Sequence, residues 1–228
     1  MKEKILAIIP ARGGSKRIPK KNIKFFYGKP IISYAINTLK KTGLFHKIIV
    51  STDDMEIAKI AKRFGAEVPF IRSFKISKDN TSVNAVVVDA INFFEGKDIF
   101  YKKICCFYPT SVFSSAKEIK LACNKLKKNT DYVFTATKYD HPIQRSFTIK
   151  NNKIKMLYPN KEKKMTQTLP IFFHDAGQFY FGWRNSWIHQ ESVFSKNSKF
   201  IEIPRLRSQD IDNLSNWKNA EKLWKVKL

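Results

Sequence analysis

The sequence predicts an α/β protein: a Rossmann-like, mainly parallel sheet with helices on both faces, plus a small hairpin arm. Three observations carry this. From residue 5 to about 137, short apolar runs of strand length alternate with segments whose apolar residues recur at helical spacing. The first run, Ile5 to Ile9, exits straight into a loop rich in glycine and cations. The alternation then breaks between Asp140 and about Thr168, where the chain turns polar and irregular.

Taken in order, the run at 5–9 is a buried strand and 11–22 its basic loop. Gly28-Lys29-Pro30 marks a helix start, with Pro30 in the first turn where its missing N–H costs nothing. Ile31, Ile32, Ala35, Ile36 and Leu39 follow at helical spacing until Gly43. Residues 47–53 read as a second strand ending in a polar turn, where Asp53 or Asp54 caps a helix over 55–64 that Gly65 ends. Residues 67–71 form a weaker edge strand, since they hold Pro69. A polar stretch, 72–82, leads into a helix over about 83–94, and 103–108 is another buried strand. Ser115-Ala116-Lys117-Glu118 is a capping box ahead of a helix carrying Ile119, Ala122 and Leu126, and 131–137 is a further strand.

Beyond the break, 146–149 and 153–157 flank Asn151-Asn152 as a hairpin too small to have its own core. It is either a flap over the crevice or an arm that pairs with another subunit. Residues 178–183 return to the main sheet and 200–204 are the last strand. A closing helix from about Ser215 carries Trp217, Ala220, Leu223 and Trp224. The expectation is one domain over 1–228 with an insertion at about 139–170. In parallel sheets ligands lie beyond the carboxyl ends of strands, so the Arg12 loop, the turn at 51–53 and the Tyr108-Pro109-Thr110-Ser111 turn should face one crevice.

A net charge of +24 raises nucleic-acid binding as a distant alternative. Lys greatly outnumbers Arg and is spread along the chain, which fits solvated faces and a general attraction for anionic substrates. No nucleic acid and no membrane are expected as partners; Ile5 to Ile9 is too short for a signal core. Cys105, Cys106 and Cys123 lack metal-ligand spacing, and a cytoplasmic location is expected.

The basic loop combines glycines with Arg12, Lys16, Lys20 and Lys21, a donor-rich and cationic setting suited to a polyphosphate. It is neither a Walker loop nor a dinucleotide fingerprint. Near the other end, Asp210-Ile211-Asp212 places both carboxylates on one face of an extended segment and Ile211 toward the core. Such a pair suits magnesium; alternatively Asp212 only caps the following helix.

The order I-P-A-R-G-G-S-K-R-I-P-K-K-N resembles the signature of the nucleotide-sugar cytidylyltransferases, which activate sialic-acid-like sugars with CTP. The resemblance implies a fold of the nucleotide-diphospho-sugar transferase type. It also implies that Ala11, Arg12, Gly13, Lys16, Lys21 and Asn22 wrap the triphosphate, and that Arg72 and Ser82 contact the nucleotide. The D-x-D pair, Asp210 and Asp212, stands where the family holds its metal, here Mg²⁺. The irregular insertion stands where relatives place a dimerisation arm, so a homodimer is expected.

Pro109-Thr110-Ser111 resembles the family's P-T-S turn, but Val112-Phe113 replaces the P-L-R of sialic acid activators. H-D-A-G-Q-F-Y-x-G, from His174 to Gly182, resembles the branch that activates pseudaminic acid. Tyr108, Thr110, His174, Asp175, Gln178 and Tyr180 are accordingly expected at the sugar, although His174 and Asp175 can equally be a satisfied polar pair at a strand end. Phe179 and Tyr180 point to opposite faces of a strand, so only one faces the ligand.

The resemblance thus implies transfer of CMP from CTP to the anomeric hydroxyl of a nine-carbon acidic sugar, with release of pyrophosphate, for flagellin or surface glycosylation. Pseudaminic acid is the main reading, and legionaminic or sialic acid the alternative. Arg12, Lys21 and Asp210 are the expected catalytic residues. The general base stays open between Asp210 and a hydroxide on the metal.

Overall fold

The computed structural model describes residues 3–226. In chain order the elements are β1 (Ile5–Pro10), β2 (Phe25–Phe26), β3 (Lys29–Pro30), α1 (Ile31–Thr42), β4 (Lys47–Ser51), α2 (Met55–Arg63), α3 (Val83–Glu95) and β5 (Lys103–Phe107). Then come α4 (Ala116–Lys125), β6 (Tyr132–Lys138), β7 (Phe147–Lys150), β8 (Lys153–Met156), β9 (Phe173–Trp183), α5 (Arg184–Ile188), β10 (Lys199–Glu202) and α6 (Leu214–Lys225). The main sheet has six strands in the order β10-β6-β9-β5-β1-β4. β1 runs parallel to β4 and β5, and β10 parallel to β6. β9 lies between β5 and β6, antiparallel to both.

The unbroken apolar character of β1 follows from burial on both faces. Ile5, Ala7 and Ile9 pack with Ile36 and Leu39 of α1, Ile57 of α2 and Ile119 of α4. Leu6 and Ile8 enter the opposite layer with Val87, Ala90 and Phe94 of α3 and Trp187 of α5. A third cluster joins Ile18 of the basic loop, Phe26, Ile31, Ile211 and Trp217 of α6. It fastens the loop and the D-I-D segment to the same end of the sheet.

Several local expectations hold. Asp54 caps α2, accepting from the N–H groups of Glu56 at 2.7 Å and Ile57 at 3.1 Å. Ser115 and Glu118 form the capping box of α4. Gly43 takes φ 64° at the end of α1, a left-handed conformation that a side chain would strain. Asn151 and Asn152, at φ 50° and 57°, turn the β7–β8 hairpin.

Other expectations are corrected. Pro30 is not in the first turn of α1; it closes β3 at ψ 132° and immediately precedes the helix. Residues 67–71 make only isolated bridges, Ile49 to Glu67 and Thr52 to Ile71, because Pro69 supplies no N–H to a ladder. β9 begins at Phe173, earlier than its apolar run. The five-residue α5 is too short to show a period. Asn213, not Asp212, caps α6, accepting from Asn216 N–H at 2.9 Å. Among the described residues no helix is long and apolar enough to cross a membrane.

Candidate active site

Two cavities lie side by side at the edge where β1, β4 and β5 end. The first, of about 240 Å³, is lined by Arg12, Lys21, Asn22, Arg72, Tyr108 and Thr110, with residues 76–79 and Thr81 forming an outer wall. The second, of about 650 Å³, shares Lys21, Tyr108 and Thr110 and adds His174, Asp175, Tyr180, Arg205, Asp210 and Asp212. The antiparallel course of β9 brings its first residues to this edge: His174 pairs with Thr137 and Asp175 with Ala136, near the end of β6. Of the three segments expected at one crevice, the Arg12 loop and the Tyr108 turn line it, whereas the turn at 51–53 stands behind it, Asp53 meeting Arg72 and the Gly13 N–H.

In the first cavity, the loop is held by its own polar groups. Asn22 is buried and donates through Nδ2 to the Arg12 carbonyl at 2.9 Å. The Gly13 N–H donates to Asp53 Oδ1 at 2.9 Å. Gly13 is needed because a Cβ there would meet the Asp54 side chain at 2.6 Å. Arg12 and Lys16 both pair with Asp79, Lys16 at 2.6 Å. Their hydrogen bonds hold the Asp79 carboxyl below the usual range.

Arg72 is only 4% exposed. Burial lowers its pKa, and the nearby charges of Asp53 and Asp89 oppose that shift. Its Nη2 lies 3.7 Å from Asp53 Oδ1, and its Nε donates to Ser77 Oγ at 3.2 Å. A buried guanidinium balanced in this way is a fixed positive charge on the cavity wall.

The second cavity carries the D-I-D pair. Ile211 is buried between two carboxylates that line the same space. Lys21 Nζ donates to the Ile211 carbonyl at 2.8 Å and lies 3.3 Å from Asp212 Oδ1; Arg17 pairs with Asp212 Oδ2 at 2.9 Å. Asp210 sits open at the rim, yet the cavity walls displace enough water to push its pKa up, and the charge of Asp212 pushes it further. A carboxylate whose ionisation is opposed by burial and by a neighbouring carboxylate is suited to a cation. Among the described residues no cluster of three or more His, Cys, Asp or Glu side chains forms a metal cage. An ion held here would therefore complete its shell with ligand oxygens and water, as magnesium commonly does.

Opposite, Asp175 accepts from the Gly177 N–H at 2.9 Å through Oδ1 and from the Tyr180 hydroxyl through Oδ2. A register shift between Phe134 and Ala136 gives β9 extra residues there and brings Asp175 back beside Tyr180. Burial raises the pKa of both Tyr108 and Tyr180, keeping them neutral donors. His174 donates through Nδ1 to the Asp175 carbonyl at 2.9 Å, which in the neutral ring leaves Nε2 as an acceptor, and its ring lies 4.8 Å from that of Tyr139. Tyr180 faces the cavity while Phe179 is fully buried in the other layer.

Five expected contacts, Ala11, Gly13, Lys16, Ser82 and Gln178, do not line either cavity. Ser82 is the N-cap of α3, its Oγ accepting from Ala85 N–H at 3.1 Å, with Thr81 and Val83 lining the first cavity in its place. Gln178 is 3% exposed; its Nε2 donates to the Arg207 carbonyl at 2.8 Å and its own carbonyl accepts from Ser111 Oγ at 2.9 Å. It does not line either cavity, and its Oε1 is buried without a hydrogen-bond partner among the described residues. Ala11 is wholly buried, its N–H donating to the Ser51 carbonyl at 2.9 Å. Lys16 reaches the first cavity's edge only through Asp79. The sequence reading missed Asp79, Arg205, Gln209 and Asn216. Arg205 and Gln209 flank the D-I-D run, which was the available signal.

Comparison with known proteins gives one consistent result. The family model described as "Cytidylyltransferase" matches residues 6–223. The chain is 40% identical to pseudaminic acid cytidylyltransferase of Campylobacter jejuni subsp. jejuni serotype O:2, an alignment covering 98% of this chain and 97% of that one. It is 30% identical to CMP-N,N'-diacetyllegionaminic acid synthase of Legionella pneumophila, over 98% of this chain and 97% of that one. Among solved structures, CMP:2-keto-3-deoxy-manno-octonic acid synthetase complexed with CTP superposes with a TM-score of 0.71 at 14% identity, covering 99% of this chain and 100% of that one. That last likeness concerns the fold.

Proposed function

The chain belongs to the cytidylyltransferase family, and from this premise we propose that it transfers CMP from CTP to the anomeric hydroxyl of pseudaminic acid, releasing pyrophosphate. The observation that carries the reading is the pair of cavities joined at Lys21, Tyr108 and Thr110, with both carboxylates of the D-I-D segment beside that junction. One cavity offers cations and a buried arginine for a nucleoside triphosphate. The other offers hydroxyls, an acceptor carboxylate and an imidazole for a polyhydroxylated sugar.

The residues take roles from their positions. Lys21 stands where the cavities meet and offsets negative charge developing between transferred and leaving phosphates. Arg12 and Lys16 exchange Asp79 for phosphate oxygens. Asp210 and Asp212 would hold Mg²⁺. The ion would supply charge neutralisation and polarisation at the phosphate. Asp175 and Tyr180 orient the sugar, and His174 Nε2 accepts one of its hydroxyl protons in a hydrogen bond.

Pseudaminic acid is favoured over legionaminic and sialic acid by the H-D-A-G-Q-F-Y-x-G run and by the 40% identity. The exposed apolar side chains of the arm, Ile149, Ile154, Leu157 and Ile171, support a homodimer. Cytoplasmic location follows from the need for CTP, and the product would serve flagellin or surface glycosylation. The test is pyrophosphate release with CTP, Mg²⁺ and a panel of pseudaminic, legionaminic and sialic acids. Release with pseudaminic acid is expected; release with another member alone would transfer the assignment to that sugar. Activity should require Mg²⁺ and select CTP. A steep log-linear loss of nucleic-acid binding with salt, without turnover, would instead favour the nucleic-acid reading.

A further inference from the structure

We infer that Arg205 is a specificity-determining residue that holds the carboxylate of the sugar acid; the inference rests on the proposed function and assigns the acid-binding group within the second cavity. That cavity poses an electrostatic problem for an anionic substrate. Asp175, Asp210 and Asp212 all line it, and Asp175 and Asp212 already accept from protein donors. Mg²⁺ at Asp210 and Asp212 would offset two of these charges; Asp175 still opposes an incoming carboxylate, and a protein cation with free donors would offset that repulsion. Lys21 does not fill this role. Its Nζ donates to the Ile211 carbonyl at 2.8 Å and faces Asp212, and it stands on the boundary with the first cavity.

Arg205 has the required freedom. Its Nη1 donates to the Ser208 carbonyl at 3.1 Å, which fixes the direction of the guanidinium without neutralising it. Its Nε lies 3.5 Å from Asp140 Oδ2, a loose pair with side chains 46% and 64% exposed. Among the described residues its Nη2 has no hydrogen-bond partner. Arg207, two residues on, is the contrast. It donates to the Phe113 carbonyl at 3.1 and 2.7 Å and makes a close double contact with Glu118, at 2.7 and 2.8 Å. Arg207 is structural, whereas Arg205 presents a planar fork to the cavity, the geometry that matches a carboxylate. Asp140, at the root of the arm, occupies part of that fork and gives it up to the substrate's acid group.

The experiment measures kcat/KM of the wild-type enzyme, Arg205→Ala, Arg205→Lys and Asp140→Asn with pseudaminic acid and with its carboxamide. Calorimetry with CTP and Mg²⁺, together with melting temperature, reports on the nucleotide site and the fold. Wild type should prefer the acid over the carboxamide by about 10- to 100-fold. Arg205→Ala should lose that preference by falling on the acid alone, with CTP binding and melting unchanged. Arg205→Lys should regain part of it, since the charge returns without the fork. Asp140→Asn should leave the acid as good a substrate or a better one.

An Arg205→Ala enzyme that still prefers the acid, or that loses CTP binding in equal measure, overturns the assignment. So does an Asp140→Asn enzyme impaired as deeply as Arg205→Ala, because the two residues would then act only as a structural pair. A wild type that turns over no sugar acid at all defeats the functional reading itself, and the inference falls with it.

Discussion

Asp210 and Asp212 combine an extended backbone, a buried spacer and two facing charges in three consecutive residues. Asp212→Ala should lower kcat by about 10²- to 10³-fold with an unchanged melting temperature; near-normal turnover would remove the metal assignment. Lys21→Ala should lower kcat/KM for CTP by about 10²-fold, since it removes the cation shared by the two cavities. Asp210 adds a pH signature. Its raised pKa means that falling pH removes its charge sooner than for an ordinary aspartate, so activity should fall on an acid limb lying above the usual value of about 3.9. If Mg²⁺ is held by the same oxygens, it competes with the proton and more Mg²⁺ should move that limb to lower pH; a limb indifferent to Mg²⁺ would separate Asp210 from the ion. For stability the sign is reversed. The folded chain binds this proton more tightly than the unfolded one, so the folded state loses stability as pH rises through the unfolded value toward the folded one. At pH 7 without Mg²⁺, Asp210→Asn should therefore raise Tm.

At the scale of elements, the active site depends on how β9 and α4 are placed. The antiparallel insertion of β9 between β5 and β6 delivers His174 and Asp175 to the end where β1, β4 and β5 finish. A parallel strand would have delivered Trp183 instead. α4 contributes at a distance: Glu118 of its first turn serves both the capping box and Arg207, and so connects the helix start to the segment bearing Arg205 and the D-I-D pair. Ser115→Ala removes one cap contact and should cost about 1 kcal/mol, a Tm lower by about 2–4 °C, with kcat at 25 °C close to wild type.

For the whole molecule, the open question of assembly turns on the arm. Among the described residues β7 and β8 pair only with each other, and the hairpin shows Phe147, Ile149 and Ile154 to solvent at 51%, 69% and 68% exposure. A two-stranded ribbon is marginal alone, so these side chains call for a covering surface. Light scattering should report a dimer at assay concentration. Ile149→Asp with Ile154→Asp should shift the mass toward a monomer, whereas a wild-type monomer would refute the expectation.

Much of this was legible in the chain itself. Local chemistry determines helix starts at Asp53 or Asp54 and at Ser115, stops at Gly43 and Gly65, the Asn151-Asn152 turn and the two-faced burial of 5–9, because caps, turns and periodicity involve residues close in sequence. The basic loop and the D-I-D pair were visible for the same reason: each is a compact chemical pattern. The direction of β9 was not, since an apolar run carries no sign of which way it enters a sheet. Nor was the fate of Ser82, the Gln178 amide nitrogen and the Gly13 amide, each of which is engaged within the protein. The difference between Arg205 and Arg207 depends on Phe113 and Glu118, about ninety residues away. Whether a polar side chain is free to bind a ligand depends on partners the chain meets only after folding, and the tertiary structure alone decides that.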